Sequence, residues 1–311
     1  MKRAFFLLIC ILFLLTSCTK TDVSSHIEGN SVKITDSMGN TAELSENSKI
    51  AVCYGSFADC LQLAGMEPVA VTSDAAEEHG LNFPESTSVI GTVKQINLES
   101  LMAVSPDYVI LSADLSAHLK LEDSLKQAGL NYGYFRVDTF EDYKSFMKQF
   151  CAVTRRDDLY EKNVLDTEKR TEKICEKIPK ECDKTVLLMR VFSTGMKAKT
   201  DDNLAGLILK EFGLKNIADS HPSILEELSV EQIITDDPDY IFASTMGSEK
   251  SALEYLEQNA VSNPAWSGLS AVKNDRYIML PKNLFHYKPN EEWDKAYEYL
   301  AKIIFPEIFG E

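Results

Sequence analysis

The sequence predicts an α/β fold of two Rossmann-like lobes joined by a single long helix, on three observations. Short apolar runs of strand length alternate with helical stretches, the pattern of parallel sheets covered on their faces by helices. The segment Asn97 to Ile110 (NLESLMAVSPDYVI) aligns without a gap with Ser229 to Phe242 (SVEQIITDDPDYIF). Between these halves, Tyr134 to Ile178 contains neither glycine nor proline.

Residues 1–17 read as a signal peptide, because Lys2 and Arg3 precede the apolar run Ala4 to Leu15. That run is too short for a spanning helix of roughly 20 residues. Leu15-Thr16-Ser17-Cys18 is similar to a bacterial lipobox, which implies cleavage before Cys18 and lipid on its thiol. Lipid at Cys18 would hold an otherwise soluble chain on the cell membrane, outside the cytoplasm, on the periplasmic or cell-surface side. Residues 18–30 are polar and would serve as the tether.

The first lobe is placed at residues 31–150. Val32 to Ile34 and Thr41 to Leu44 flank Asp36-Ser37-Met38-Gly39-Asn40, a small hairpin. Lys49 to Tyr54 is a strand, Phe57 to Ala64 a helix closed by Gly65, and Pro68 to Val71 a second strand. Asp107 to Ser112 and Asn131 to Val137 complete the buried strand candidates of this lobe. The connecting helix is placed within residues 151–182, where Tyr160, Val164, Thr167, Thr171, Ile174 and Ile178 recur at helical spacing. From Asp158 to Ile178 it would reach roughly 30 Å at 1.5 Å per residue. The second lobe, residues 183–311, opens with the strand Thr185 to Val191.

Both copies of the repeat place a glutamate, Glu99 or Glu231, ahead of Pro-Asp-Tyr, and Asn97 and Ser229 are natural helix N-caps. A second echo precedes each copy: Gly65-Met66 and Gly213-Leu214 each end a helix ahead of a strand.

The formal charge is −16, and loss of Lys2 and Arg3 with the leader takes it to −18. A surface this acidic excludes nucleic acid and anionic lipid headgroups as partners. Cys53, Cys60, Cys151, Cys175 and Cys182 show no C-x-x-C spacing, so neither a zinc site nor a disulfide framework is indicated; a Cys175 to Cys182 bridge stays open. The chain carries no G-x-S-x-G, no phosphate-cradling P-loop, no G-x-G-x-x-G and no H-E-x-x-H, so it does not read as an enzyme.

Lipobox, repeated glutamate-led helices running into Pro-Asp-Tyr, and a helical connector together resemble the cobalamin and ferric-siderophore class of ABC transporter substrate-binding lipoproteins. The C-terminal segments Asn263-Pro264-Ala265-Trp266, Leu269 to Tyr277 and Tyr287-Lys288-Pro289-Asn290-Glu291-Glu292-Trp293 are similar to that class too. The resemblance implies the class III periplasmic-binding fold and delivery of an iron complex, a ferric siderophore first, to a permease dimer and its ATPase subunits. Haem or corrinoid cargo is the alternative within the class; a sensor lipoprotein without transport, or an exported enzyme, is the alternative outside it. No resident cofactor is implied, since iron would arrive only inside the cargo. By the same resemblance Glu99 and Glu231, expected far from the cleft, would dock into arginine pockets of the permease. The alternative for both is a helix-dipole contact and nothing more.

The cargo site is expected on loops at the carboxyl ends of the strands. In the first lobe these carry Tyr54, Ser56 and Asp114; in the second, Arg190 to Lys199 (Arg190 and Lys197 above all), Met246, and His286, Tyr287 and Lys288. Arg190, Lys197 and Lys288 would form a positive patch suited to an anionic ferric complex. A free metal ion is a poorer fit, because His26, His79, His118, His221 and His286 are scattered. Haem needs only one or two axial ligands, and His286, Tyr287 or Met246 are candidates.

Overall fold

A computed structural model describes residues 31–221 and 230–310. The signal peptide, Cys18, the tether and the Ser229 cap lie outside them. No described helix is long and apolar enough to cross a membrane.

The chain opens with the expected hairpin, β1 (Val32–Thr35) against β2 (Thr41–Leu44). Asp36 Oδ1 accepts from the amides of Met38 (2.9 Å) and Asn40 (2.8 Å), which closes the turn, while Oδ2 accepts from the Tyr134 amide at 2.9 Å. One carboxylate thus builds the hairpin and pins it to the sheet. β3 (Ile50–Val52), β4 (Ala70–Val71) and β5 (Ser88–Val89) follow, then a short antiparallel pair, β6 (Gly91–Thr92) and β7 (Gln95–Ile96), then β8 (Tyr108–Ser112) and β9 (Tyr132–Phe135). The first sheet is parallel throughout, in the order β5-β4-β3-β8-β9. β8 is buried along its whole length, as a strand covered on both faces must be.

The second sheet contains β10 (Thr185–Phe192), β11 (Gly195–Lys199), β12 (Lys215–Asn216), β13 (Tyr240–Thr245) and β14 (Tyr277–Met279). Its order is β11-β10-β13-β14, with β12 alongside the start of β10. β11 corrects the expectation that Arg190 to Lys199 is a loop. The segment is a hairpin that pairs Arg190 with Lys197, because the chain turns back at Ser193-Thr194 and completes an antiparallel ladder on β10.

Seven helices matter for the site: α1 (Gly55–Leu63), α2 (Leu98–Ala103), α3 (Phe140–Thr154), α4 (157–175), α5 (Leu204–Glu211), α6 (Val230–Asp236) and α7 (Trp293–Ile304). α2 and α6 belong to the repeat, and each ends at a Pro-Asp turn whose preceding residue is left-handed, Ser105 at φ 47° and Asp237 at φ 40°. The aspartate of each Pro-Asp-Tyr then clamps the head of a neighbouring strand. Asp107 Oδ2 accepts from the Lys49 amide at 2.8 Å, ahead of β3, and Asp239 Oδ2 accepts from the Thr185 amide at 2.8 Å, at the start of β10. The second echo is equally literal. Gly65 (φ 83°) and Gly213 (φ 79°) close α1 and α5, donating to Gln62 O at 2.8 Å and Lys210 O at 3.0 Å.

The connector is α4, about 28 Å long at 1.5 Å per residue. Residues 151–154 finish α3 instead, which is stopped by Arg155 at φ 56°, and Ile178 falls beyond the helix in a turn. The missing glycine and proline therefore did not guarantee one unbroken helix. The middle turn of α4, Glu161–Leu165, is π-helical and buries Asn163 and Val164. Asn163 Nδ2 donates to Leu63 O of α1 at 2.9 Å, and Thr167 Oγ1 donates to Glu291 O at 3.0 Å, so α4 is bonded to both lobes. Phe57, Phe135, Phe146 and Phe150 lie with Val186, Leu188 and Trp293 in one core that runs through the junction. Cys175 and Cys182 are free: Cys175 packs on the junction core, and Cys182 lies against Gly213.

Candidate ligand-binding cleft

In a parallel sheet every strand delivers its carboxyl end to the same edge, and the helix that follows starts there. At the end of β3 this puts Tyr54, Gly55 and Ser56 at the head of α1. The Gly55 amide donates to Asp74 Oδ2 at 2.7 Å, and Asp74 is only 6% exposed. Its other oxygen has no hydrogen-bond partner among the described residues. The Gly55 site has no room for a side chain, because a Cβ there would lie 2.5 Å from His79 Cδ2. Glycine is what lets the imidazole lie on the helix start. Burial pushes the Tyr54 phenol up to about 12, the Ser56 hydroxyl opposing and Asp74 and Asp114 adding to it.

The second lobe brings His286, Tyr287 and Lys288 against these groups. The Tyr287 ring lies between two imidazoles, with centroids 4.6 Å from His79 and 5.0 Å from His286. Burial lowers the pKa of His79, and burial together with the charges of Arg190 and Lys282 takes His286 down to about 4, so both rings are neutral at pH 7. Arg190 is partly buried with no partner for its Nε among the described residues. Lys197 stands across the ladder from it and is exposed, and Met246, just past the end of β13, is 36% exposed.

Two of the expected cleft residues are engaged elsewhere. Lys288 Nζ lies 2.9 Å from Asp138 Oδ1 of the first lobe, and Asp114 Oδ1 lies 2.5 Å from Arg136 Nε. Arg136 also reaches Asp138 at 3.7 Å, so Asp114, Arg136, Asp138 and Lys288 form a chain of ion pairs across the lobes. Ser56 serves the same seam, since its Oγ accepts from the Lys288 amide at 3.4 Å. Buried Asn290 donates from Nδ2 to Ser56 O (3.0 Å) and Asp59 Oδ2 (2.6 Å). Sequence reasoning missed Asp74, His79, Arg136 and Asn290. Asp74 had a usable signal, because it follows β4 by three residues much as Tyr54 follows β3 by two; Arg136 and Asn290 act across gaps that no local pattern spans.

Glu99 and Glu231 are exposed in the first turns of α2 and α6. Each helix descends to the head of its strand, so its first turn stands at the opposite end. Both carboxylates thus stand at the helix ends away from the Pro-Asp turns. The Asn97 cap is present, its side chain accepting from the Ser100 amide at 3.0 Å.

Two α/β lobes, one helical connector and a cleft between strand ends match the family model described as periplasmic binding protein over residues 50–284. The chain belongs to that family. Among relatives of this periplasmic binding protein, the Fe(3+)-citrate-binding protein YfmC of Bacillus subtilis (strain 168) is 23% identical over 245 residues, 78% of this chain and 75% of that one. The probable siderophore-binding lipoprotein YfiY of the same organism is 23% identical over 291 residues, 86% and 87% of the two chains. Among solved structures, the iron uptake ABC transporter substrate-binding protein PiuA of Streptococcus pneumoniae Canada MDR_19A superposes with a TM-score of 0.70 at 18% identity, over 89% of this chain and 99% of that one. The fold is the class III arrangement of periplasmic binding proteins.

Proposed function

We propose that this protein binds an iron complex, a ferric siderophore in the first place, and delivers it to an ABC importer outside the cytoplasm. The observation that carries the reading is the wall formed by Arg190 and Lys197, a local cationic surface at the strand ends of a chain with formal charge −16. Lys288 leaves that wall, because its ammonium is held by Asp138. The names of YfmC, YfiY and PiuA support the cargo class. Lipid on Cys18 would keep the protein at the membrane, and Glu99 and Glu231 would seat the two lobes on a permease dimer through bidentate arginine contacts. A haem cargo is the second reading, favoured by His286, whose neutral imidazole at pH 7 keeps a lone pair for iron.

Protein purified from iron-limited culture would carry a charge-transfer band with a siderophore and an intense band at about 400 nm with haem, the colour of the cargo itself. Colourless protein that quenches with neither would remove both readings. Delivery is tested separately. Glu99→Lys with Glu231→Lys should keep solution affinity and abolish uptake of labelled complex, because like charges would then meet at the permease. Uptake that survives in the folded double variant would leave these glutamates as helix-dipole contacts. Cys18→Ser should lose incorporated fatty acid on metabolic labelling; equal labelling would refute the anchor.

A further inference from the structure

We infer that the cleft is shaped for a complex of mixed charge, with anionic acceptor oxygens against Arg190 and Lys197 and a protonated amine, or a comparable N–H donor, against Asp74. This rests on the iron-complex reading and narrows it.

A helix that starts at a strand end offers its first amides and dipole to an anion. In the first lobe that offer is taken, because Asp74 Oδ2 already accepts from the Gly55 amide at the start of α1. An anionic group arriving there would meet a carboxylate. The remaining oxygen of Asp74 is buried without a partner among the described residues, an arrangement that costs free energy until a donor fills it. Among the described residues no cation pairs with it: His79, whose pKa is lowered by burial, lies over Gly55, and Arg136 and Lys288 are paired with Asp114 and Asp138. Tyr287 hydroxyl faces Glu78, which adds a second carboxylate to the same wall.

The opposite wall has the reverse sign. Arg190 Nε is buried without a partner among the described residues, Lys197 stands across the ladder from it, and Lys282, at the start of the short helix Lys282–Phe285, acts with Arg190 on His286. Asp202 is the carboxylate that acts on Arg190, and Asp202 is ion-paired with Lys199. Among the described residues, therefore, the first lobe holds an unmet carboxylate oxygen of Asp74, with the unpartnered Thr72 hydroxyl two residues before it, and the second an unmet donor on Arg190. A uniform polyanion satisfies the second and is repelled by the first. A chelate with acidic oxygens at one end and an ammonium at the other satisfies both.

The test uses the mature protein and two ferric trishydroxamates that differ at one place, a free terminal ammonium in one and its N-acetyl derivative in the other, titrated by intrinsic fluorescence beside ferric citrate. The ammonium complex should bind about ten- to a hundredfold more tightly than the acetylated one, the range of one charge-assisted hydrogen bond. In Asp74→Asn, which retains an oxygen for the Gly55 amide, the two affinities should converge to within about twofold. Arg190→Gln should weaken both complexes by a similar factor. Equal affinities in the parent protein would overturn the inference while leaving the iron-complex reading intact, and that comparison needs no variant to fold. Binding of none of the three complexes would overturn the reading itself, and the inference with it.

Discussion

Asp107 and Asp239 perform one task in two lobes, whereas the far ends of the strands they clamp have nothing in common. Just ahead of β3 and at the start of β10 a carboxylate accepts from a backbone amide, both at 2.8 Å. At the other end, β3 leads into Tyr54 and a glycine helix start filled by Asp74, while β10 carries Arg190 into an antiparallel hairpin. The strand head is a backbone problem: an amide that no neighbouring strand serves needs an acceptor, and one aspartate on the adjacent turn supplies it in either lobe. The strand end is a ligand problem, and two walls facing one asymmetric ligand have no reason to match. At the strand heads internal repetition therefore reports scaffold, and its failure at the strand ends reports the ligand site.

The sharpest way to break that comparison is to remove the clamps. Asp239→Ala strands both the amide and the hydroxyl of Thr185 and should cost about 2–3 kcal/mol; Asp107→Ala, whose partner Lys49 is more exposed, about 1–2 kcal/mol. Urea unfolding measures both, and affinity for the iron complex should stay at the parent value in the folded variants. A clamp variant that loses affinity while keeping its stability would put function at the strand heads.

Next come the paired glycines. Gly65→Ala and Gly213→Ala both force alanine into left-handed backbone, but they should not cost the same. A Cβ at Gly65 would lie 2.9 Å from Leu159 Cδ1, on the connector, and at Gly213 no nearer than 3.5 Å to Cys182 Cβ. We expect about 2 kcal/mol for the first and about 1 kcal/mol for the second, by thermal melting. Equal losses would mean that the connector does not press on α1.

The seam between the lobes should show itself in pH. Burial, and then the charge of Asp59, pushes Glu291 from its ordinary 4.5 up to about 7. A carboxyl raised in the folded state holds its proton more tightly there than when unfolded. The parent protein should therefore lose stability as pH rises from about 4.5 to 7. Glu291→Gln should be more stable than the parent by about 1–2 kcal/mol at pH 8, with the gap closing below pH 5. A gap that does not change with pH would place Glu291 in water.

The smallest effect is expected at Lys288. Its pair with Asp138 is partly solvent-screened, with side chains 23% and 51% exposed, so Lys288→Ala should change stability by under about 0.5 kcal/mol. A larger loss in the melt would make this ion pair a true fastening between the lobes.

Much of this architecture was legible in the chain alone, and for a common reason. The alternation of apolar runs, the Asp36 hairpin, the glycine stops at Gly65 and Gly213, and the doubled Pro-Asp-Tyr each depend on residues a few places apart, so periodicity and turn chemistry report them. The Asn97 cap and the connector belong to the same class, apart from the stop at Arg155, which has no glycine to announce it. What only the tertiary structure decided lies across long gaps. Gly55 meets Asp74, Lys288 is taken from the cleft by Asp138, and Asn290 fastens Ser56 and Asp59 across the lobes. Which charges face a ligand and which are spent on one another is set by the packing of two sheets about one connector. The sequence by itself determined where strands start and helices stop; the meeting of two lobes decided which carboxylate and which guanidinium were left unmet, because a buried polar group is satisfied or stranded only by what arrives from elsewhere in the chain.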